Sequence, residues 1–436
     1  MCRRETARRV TGDVDCAPGK EAIEVKSLLV KNIGVLQTPV GSYSHRGKEQ
    51  GENLKLKDAA VFIRNGVIEE ITHDGELPKQ AADADEVIDA NFNLVTPGLV
   101  DGHTHMVFGG YRQHEIPMKL RGATYLDILR AGGGILDTVR KTREATEQDL
   151  IYKTGKFVDE MMAHGVTTCE AKSGYGLDFD NEIKILSVIK AVNERHPMDI
   201  VATFMGPHAV PDEYKGCGDD YIDMVCEKML PYVRENELAE YADIFTEDSV
   251  FNYEQSRRYL ECAGALGFGL KIHADEIEAI GGSKLAGEMR AVSAEHLISI
   301  DEEGIKSMAK GGTTAMCLPA TSFYLGADYA PARKMVEAGI PVAAASDFNP
   351  GSCPSMNLQF VMNLACIRYR LLPEEVLTAV TINPACAIGR GKRVGTLEAG
   401  KQADLVIWDA PDLEMLCYRF GSNQVKTVIK KGEKIK

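Results

Sequence analysis

Strands alternating with helices over about 250 residues, with β-type segments before and after, predict a (β/α)8 TIM barrel joined to a small β-sandwich built from the two chain ends. Two observations carry this expectation. Apolar runs such as Gly165–Gly174, Asp199–Ala209 and Gly269–Glu276 recur with helical stretches between them, and their polar residues gather at the C-terminal end. That end is where barrel enzymes keep their sites. Outside this stretch, apolar and polar residues alternate, as in half-exposed strands.

The elements follow in order. Ser27–Gln37 reads as one strand, and Ala59–Ile71 as two runs joined at Asn65-Gly66, a pair suited to a type I′ hairpin turn. Glu86–Val95 reads as another strand, broken by Thr96-Pro97-Gly98. The barrel grammar begins with Leu99–His105 and continues through Gly165–Gly174, a helix near Asn181–Glu194, Asp199–Ala209, Ala242–Ser249, Gly269–Glu276, Ala291–His296, Thr313–Ala320 and Ile340–Pro350. Val394–Ala410 and Gln424–Ile435 return to β. The expected division is a loose tail over 1–24, a composite β unit from 25–96 and 392–436, and a barrel over 97–391.

Composition narrows the function class. Among 436 residues, 50 are basic and 64 acidic, a net charge of −14, which disfavours nucleic acid or an anionic membrane as the main partner. No apolar run approaches the ~18 residues of a membrane span, and no apolar segment follows the N-terminal arginines as a secretory signal requires. Eleven scattered cysteines without a C-x-x-C pattern read as reduced thiols in a cytoplasmic protein.

His103 and His105 flank Thr104 at the end of the first barrel strand, so period-2 geometry turns both imidazoles to one face. Two neutral imidazoles on one face suit zinc or a similar ion. An H-x-H pair alone is a weak signal. His273 and Glu276 close the fifth strand, His296 the sixth and Asp347 the eighth. Any one of these is explained as a hydrogen-bonded core residue; the set at converging strand ends is not. The triple Gly132-Gly133-Gly134 lacks the Lys-Ser/Thr of a phosphate loop and reads as a helix-entry turn or a loop over the pocket.

The runs PGLVDGHTHMVFGG, RAGGGILDTV, EAKSGYGLD, GPHAVP, KIHADE, SAEHL and SDFNPGS make the chain resemble the amidohydrolase superfamily and, within it, the imidazolonepropionase family of histidine breakdown. The one local departure is Gly102, where that family frequently has Cys before the first histidine. The resemblance implies metal ligands His103, His105, His273 and Asp347, with one Zn2+ or Fe2+/Fe3+ per chain. A second metal is disfavoured, since the fourth strand carries no Lys and Lys172 lies on the second. It implies catalytic roles for Asp347 as proton acceptor, His296 as assisting base and oxyanion partner, and Glu276, three residues or one helical turn beyond His273, as acid to the leaving nitrogen. Arg112 would grip a propanoate carboxylate, with a pair to Glu115 as its plainer reading, while Tyr125, Tyr175 and His208 would line the pocket. Asn349, Gly351 and Ser352 would form a product-contacting turn.

The implied reaction is hydrolysis of 4-imidazolone-5-propanoate to N-formimidoyl-L-glutamate by a homodimer acting on a small molecule. A mononuclear deaminase of guanine or cytosine type shares H-x-H and H-x-x-E but has no use for Arg112. An inactive scaffold barrel would be expected to lose ligands that are all present here.

Overall fold

The structure, a computed structural model, describes residues 26–123, 127 and 131–435. The tail expected over 1–24 and Tyr125 lie outside the described residues. The first five strands are Ser27–Thr38 (β1), Leu54–Arg64 (β2), Val67–Thr72 (β3), Glu86–Asp89 (β4) and Leu94–Pro97 (β5). The turn between β2 and β3 has Asn65 at φ 50° and Gly66 at φ 75°, the paired positive values a type I′ turn demands.

The single strand expected over Glu86–Val95 is instead two. Asn91 and Phe92 both take left-handed backbone and jog the chain between β4 and β5. β1 bends to match, with Asn32 at φ 54° and a register shift between Val30 and Ile33. The two kinks nest at Gly34, where the Phe92 carbonyl lies 2.1 Å from the place a Cβ would occupy.

The barrel follows: Leu99–Asp101 (β6), Val166–Lys172 (β7), Asp199–Phe204 (β8), Tyr241–Ala242 (β9), Phe245–Thr246 (β10), Gly269–Ala274 (β11), Ser293–His296 (β12), Thr314–Cys317 (β13) and Val342–Ala344 (β14). They pair in parallel in chain order from β6 to β14, with β9 and β10 both lying against β11. Regular pairing stops short of the expected strand ends. Beyond it, the His105 amide donates to the Phe348 carbonyl at 2.8 Å and the Asp347 amide to that of His103 at 3.1 Å. The candidate ligand backbones therefore join the first barrel strand to the last.

Outer helices are set by local chemistry. Glu147–Ala163 and Phe179–Arg195 start at Thr146 and Asp178, whose side chains accept from the amides of Asp149 and Asn181. They bury Phe157, Met161, Ile185 and Ile189 in the main core. The Gly132–Gly134 run ends as the entry to helix Ile135–Glu144, with Gly134 at φ 77° as its N-cap.

Leu405–Trp408 (β15), Val425–Lys430 (β16) and Glu433–Lys434 (β17) return to the first sheet, in the order β17-β16-β15-β5-β1-β2-β3 with β4 beside β1. The strand expected over Val394–Ala410 shrinks to β15, because Gly395 and Gly400 take positive φ and turn the chain before it. The bent sheet closes over a separate core that includes Val30, Ile33, Val61, Val95, Leu405 and Ile429. Among the described residues, no helix is long and apolar enough to cross a membrane.

Candidate active site

Past β6 the chain runs on through His103 and His105 with Thr104 turned away, its hydroxyl donating to the Glu170 carbonyl at 2.6 Å. His105 Nε2 lies 3.2 Å from His103 Nε2 and 3.3 Å from His273 Nε2. Asp347 Oδ1 stands 3.4 Å from His103 Nε2 and 3.8 Å from His105 Nε2, while Asp347 Oδ2 accepts from Thr321 Oγ1 at 2.6 Å. In a tetrahedral zinc site with Zn–N bonds of 2.0–2.1 Å, neighbouring nitrogens sit about 3.3 Å apart. The donor set and its spacing fit a metal ion, and all four side chains are buried.

Each outer imidazole is aimed by a carboxylate. His103 Nδ1 donates to Glu295 Oε2 at 2.8 Å and His273 Nδ1 to Asp243 Oδ1 at 3.1 Å, which leaves their Nε2 lone pairs for a cation. Behind them lies a fully buried charge cluster. Lys172 Nζ reaches Asp243 at 2.7 Å and Glu170 at 2.9 Å; Lys271 Nζ reaches Glu170 at 3.1 Å and Glu295 at 3.9 Å. Burial would lower the Lys172 ammonium, but Asp243, Glu170 and Glu295 outweigh it and hold it charged. Four carboxylates (Glu170, Asp243, Glu295, Asp347) thus face two ammoniums, a surplus that a divalent cation neutralises.

Sequence reading missed Glu170, Asp243, Lys271, Glu295 and Thr321. A signal was present for two of them: Lys271 precedes His273 by two residues and Glu170 precedes Lys172 by two, charged residues at barrel-facing positions of apolar strands.

Backbone strain concentrates at the strand ends. Asp275 (φ 50°), His296 (φ 68°), Leu297 (φ 61°) and Asp347 (φ 53°) all take left-handed backbone, at about 1–3 kcal/mol each. Glu276 is consequently not one helical turn from His273. Asp275 turns the chain, its carboxylate held by the amides of Gly282 and Ser283 at 3.2 Å, and Glu276 comes back to the cavity. Its Oε2 lies 3.5 Å from His296 Nε2. Burial, helped by the negative charge of Asp347, pushes the Glu276 carboxyl up to about 8, and burial holds His296 well below the usual histidine range. Burial also raises Asp347, to about 6, against the pull of the Thr321 hydrogen bond. A neutral acid therefore stands beside a neutral base.

One cavity of about 610 Å³ joins these groups to most of the expected substrate contacts: Arg112, Tyr175, His208, Asn349 and Ser352. Arg112 is half-buried, its Nε is enclosed without a hydrogen-bond partner, and Glu115 is 3.9 Å away. Glu115 is held instead by the Gly134 amide at 2.7 Å and Lys119 at 3.2 Å. Gly351 lies behind the guanidinium: Arg112 Nη2 sits 1.2 Å from where a Cβ would stand, so any side chain at 351 would displace it. His208 stacks on His105 (centroids 4.8 Å apart, 17° between planes) and donates from Nδ1 to the Gly174 carbonyl at 3.0 Å. Burial lowers His208 to about 3, and burial keeps the Tyr175 phenol protonated.

The Asn349 amide is already engaged, donating to the Asp347 carbonyl and Ser352 Oγ and accepting from the Gly351 and Ser352 amides. It shapes the turn beneath Arg112. At Gly102, a Cβ would meet Met316 Cε at 2.6 Å, so Met316 fills the space a larger residue would take.

Comparison with known proteins places this geometry. Residues 94–435 match the Amidohydrolase family. Over 408 residues the chain is 47% identical to an imidazolonepropionase from Bacillus velezensis, covering 93% of this chain and 96% of that protein. It is 50% identical to one from Treponema denticola over 375 residues (86% and 91%). Among solved structures, a triazine hydrolase variant superposes with a TM-score of 0.71 at 17% identity, covering 94% of both chains. An adenosine deaminase from Xanthomonas campestris with bound zinc gives 0.67 at 20% identity (94% and 92%).

Proposed function

We propose a reaction for a chain that belongs to the amidohydrolase family and, within it, to the imidazolonepropionases: hydrolytic opening of 4-imidazolone-5-propanoate to N-formimidoyl-L-glutamate. The observation that carries it is one cavity bordered both by His105, His273 and Asp347 of the metal-fitting cluster and by a half-buried Arg112 whose enclosed Nε has no partner. A ring amide with an anionic tail satisfies both ends at once.

His103, His105, His273 and Asp347 would hold one ion, zinc or iron. When bound, such an ion supplies water acidified to about pKa 7 and polarises a carbonyl oxygen. Asp347 Oδ1 takes the proton of the attacking water, its Oδ2 being fixed by Thr321. His296, neutral through burial, assists as base and hydrogen-bonds the oxygen on which negative charge develops. Water oxygen bonds to the ring carbonyl carbon, the C–N bond breaks, and Glu276 gives its proton to the departing nitrogen. Arg112 pairs with the propanoate, and Tyr175 and His208 bound the ring. Ser352 and Gly351 border the tail, with Asn349 shaping their turn. We place the protein in the cytoplasm as a homodimer, with the barrel over 97–391 as the catalytic domain.

Arg112→Gln tests the reading. The KM for imidazolonepropanoate should rise roughly 10- to 100-fold, the loss of a charged hydrogen-bonded pair, with metal content unchanged. An unchanged KM, or turnover of aminopurines in place of the imidazolone, would refute it.

A further inference from the structure

Both arms expected to grip the substrate hang from one helix, Ile135–Glu144, whose residues Ile135 and Leu136 also line the cavity. The first arm, residues 107–112, ends in Arg112. Lys141 Nζ donates to the Tyr111 carbonyl at 3.2 Å, and the Gly109 amide donates to Thr142 Oγ1 at 2.9 Å. The arm lies so close that Cβ atoms at Gly109 and Gly110 would meet the Lys141 carbonyl at 2.1 Å and Lys141 Cδ at 2.4 Å. The second arm, residues 173–178, carries Tyr175. Arg143 Nε donates to the Gly176 carbonyl at 2.8 Å and stands 3.0 Å from Asp178. Lys184, from helix Phe179–Arg195, donates to the carbonyls of Thr142, Arg143 and Ala145 at 3.0 Å each and locks the helix end to the second arm's own helix.

We infer that helix Ile135–Glu144 is the spacer that sets the distance between carboxylate grip and ring wall, with Lys141 and Arg143 as its positioning residues. Neither side chain lines the cavity, so each acts through an arm: Lys141 through Arg112, Arg143 through Tyr175. This rests on the proposed role of Arg112. Each anchor holds its own arm to the shared helix, so loosening one displaces that arm alone, and a displacement of about 1 Å is enough to weaken its contact with the substrate.

The test uses two substrates, imidazolonepropanoate and the same imidazolone ring without its tail, with the metal-loaded protein. Lys141→Met keeps the apolar stem against Gly110 and removes the donor. It should raise KM for the tailed ring about five- to tenfold, leave kcat and metal content within about twofold, and leave the tail-less ring unaffected. Lys141→Arg should restore the KM. Arg143→Met should raise KM on both rings. Equal loss by Lys141→Met on both rings, or an unchanged KM, would overturn the inference. Should Lys141→Met prove insoluble, Lys141→Gln carries the same expectation. Arg112→Gln, measured alongside, separates the two claims. If it too leaves the preference for the tailed ring intact, the reading of Arg112 has failed; if it abolishes that preference and Lys141→Met does not, only the spacer has failed.

Discussion

Two clusters of buried charge lie at opposite ends of the barrel and use the same chemistry to different ends. At the lower end, Lys430 on β16 is fully buried and reaches Asp404 at 2.6 Å and Asp199, the first residue of β8, at 2.8 Å. Arg393 and Lys431 add to it, 3.7 and 2.7 Å from Asp199. Cations there match or exceed anions, so the cluster is closed and fastens the terminal sheet to the barrel. At the upper end, anions exceed cations and imidazole nitrogens point at one another across 3.2–3.3 Å. An unbalanced cluster with converging lone pairs is a site; a balanced one is a joint.

The largest effect should come from breaking the joint. Lys430→Met leaves the buried Asp404 without its ammonium, while Asp199 keeps Lys431, and should cost about 3–5 kcal/mol in urea denaturation while leaving KM near wild type. The joint also has a pH signature. Burial pushes Asp199 up, but Lys430 pulls it further down, below the usual carboxylate range. Its stabilisation is therefore complete above the unfolded value of about 3.9 and is lost as pH falls below it. If Lys430→Met instead removed metal and spared stability, the contrast between the two clusters would collapse.

Breaking the upper cluster should do the reverse. Glu295→Gln frees His103 Nδ1 from its carboxylate and should weaken metal binding about 10- to 100-fold, read by competition with a chelator, with little change in denaturation midpoint. A smaller effect concerns Glu276. Its raised value keeps it protonated below about pH 8, so kcat should fall as pH rises through that value, about tenfold per unit at most. Glu276→Gln should abolish that alkaline limb along with most of the rate.

What the sequence made legible follows the same divide. The histidines, Glu276 and Asp347 were readable because polar residues at the ends of apolar strands are conspicuous, Gly351 because the run SDFNPGS contains it, and Arg112 because it follows the run PGLVDGHTHMVFGG by two residues. Of the carboxylates behind the histidines only Glu170 gave a signal; Asp243 lies between β9 and β10 and Glu295 inside β12, and their partners are far away in the chain, Glu295 serving His103 across 192 residues. The left-handed backbone at Asp275, which returns Glu276 to the cavity, carries no glycine to announce it. The split of Glu86–Val95 escaped for a related reason, as Asn91 marks a turn but Phe92 does not.

The most direct test of the account is a chelation and add-back experiment on imidazolonepropanoate. Protein stripped of metal should remain folded, held by the joint around Lys430, and should lose hydrolysis by roughly a thousandfold or more. One equivalent of zinc or iron should restore it, with N-formimidoyl-L-glutamate as product. Full activity in the stripped protein, or a reconstituted protein that leaves the imidazolone ring intact, would contradict it.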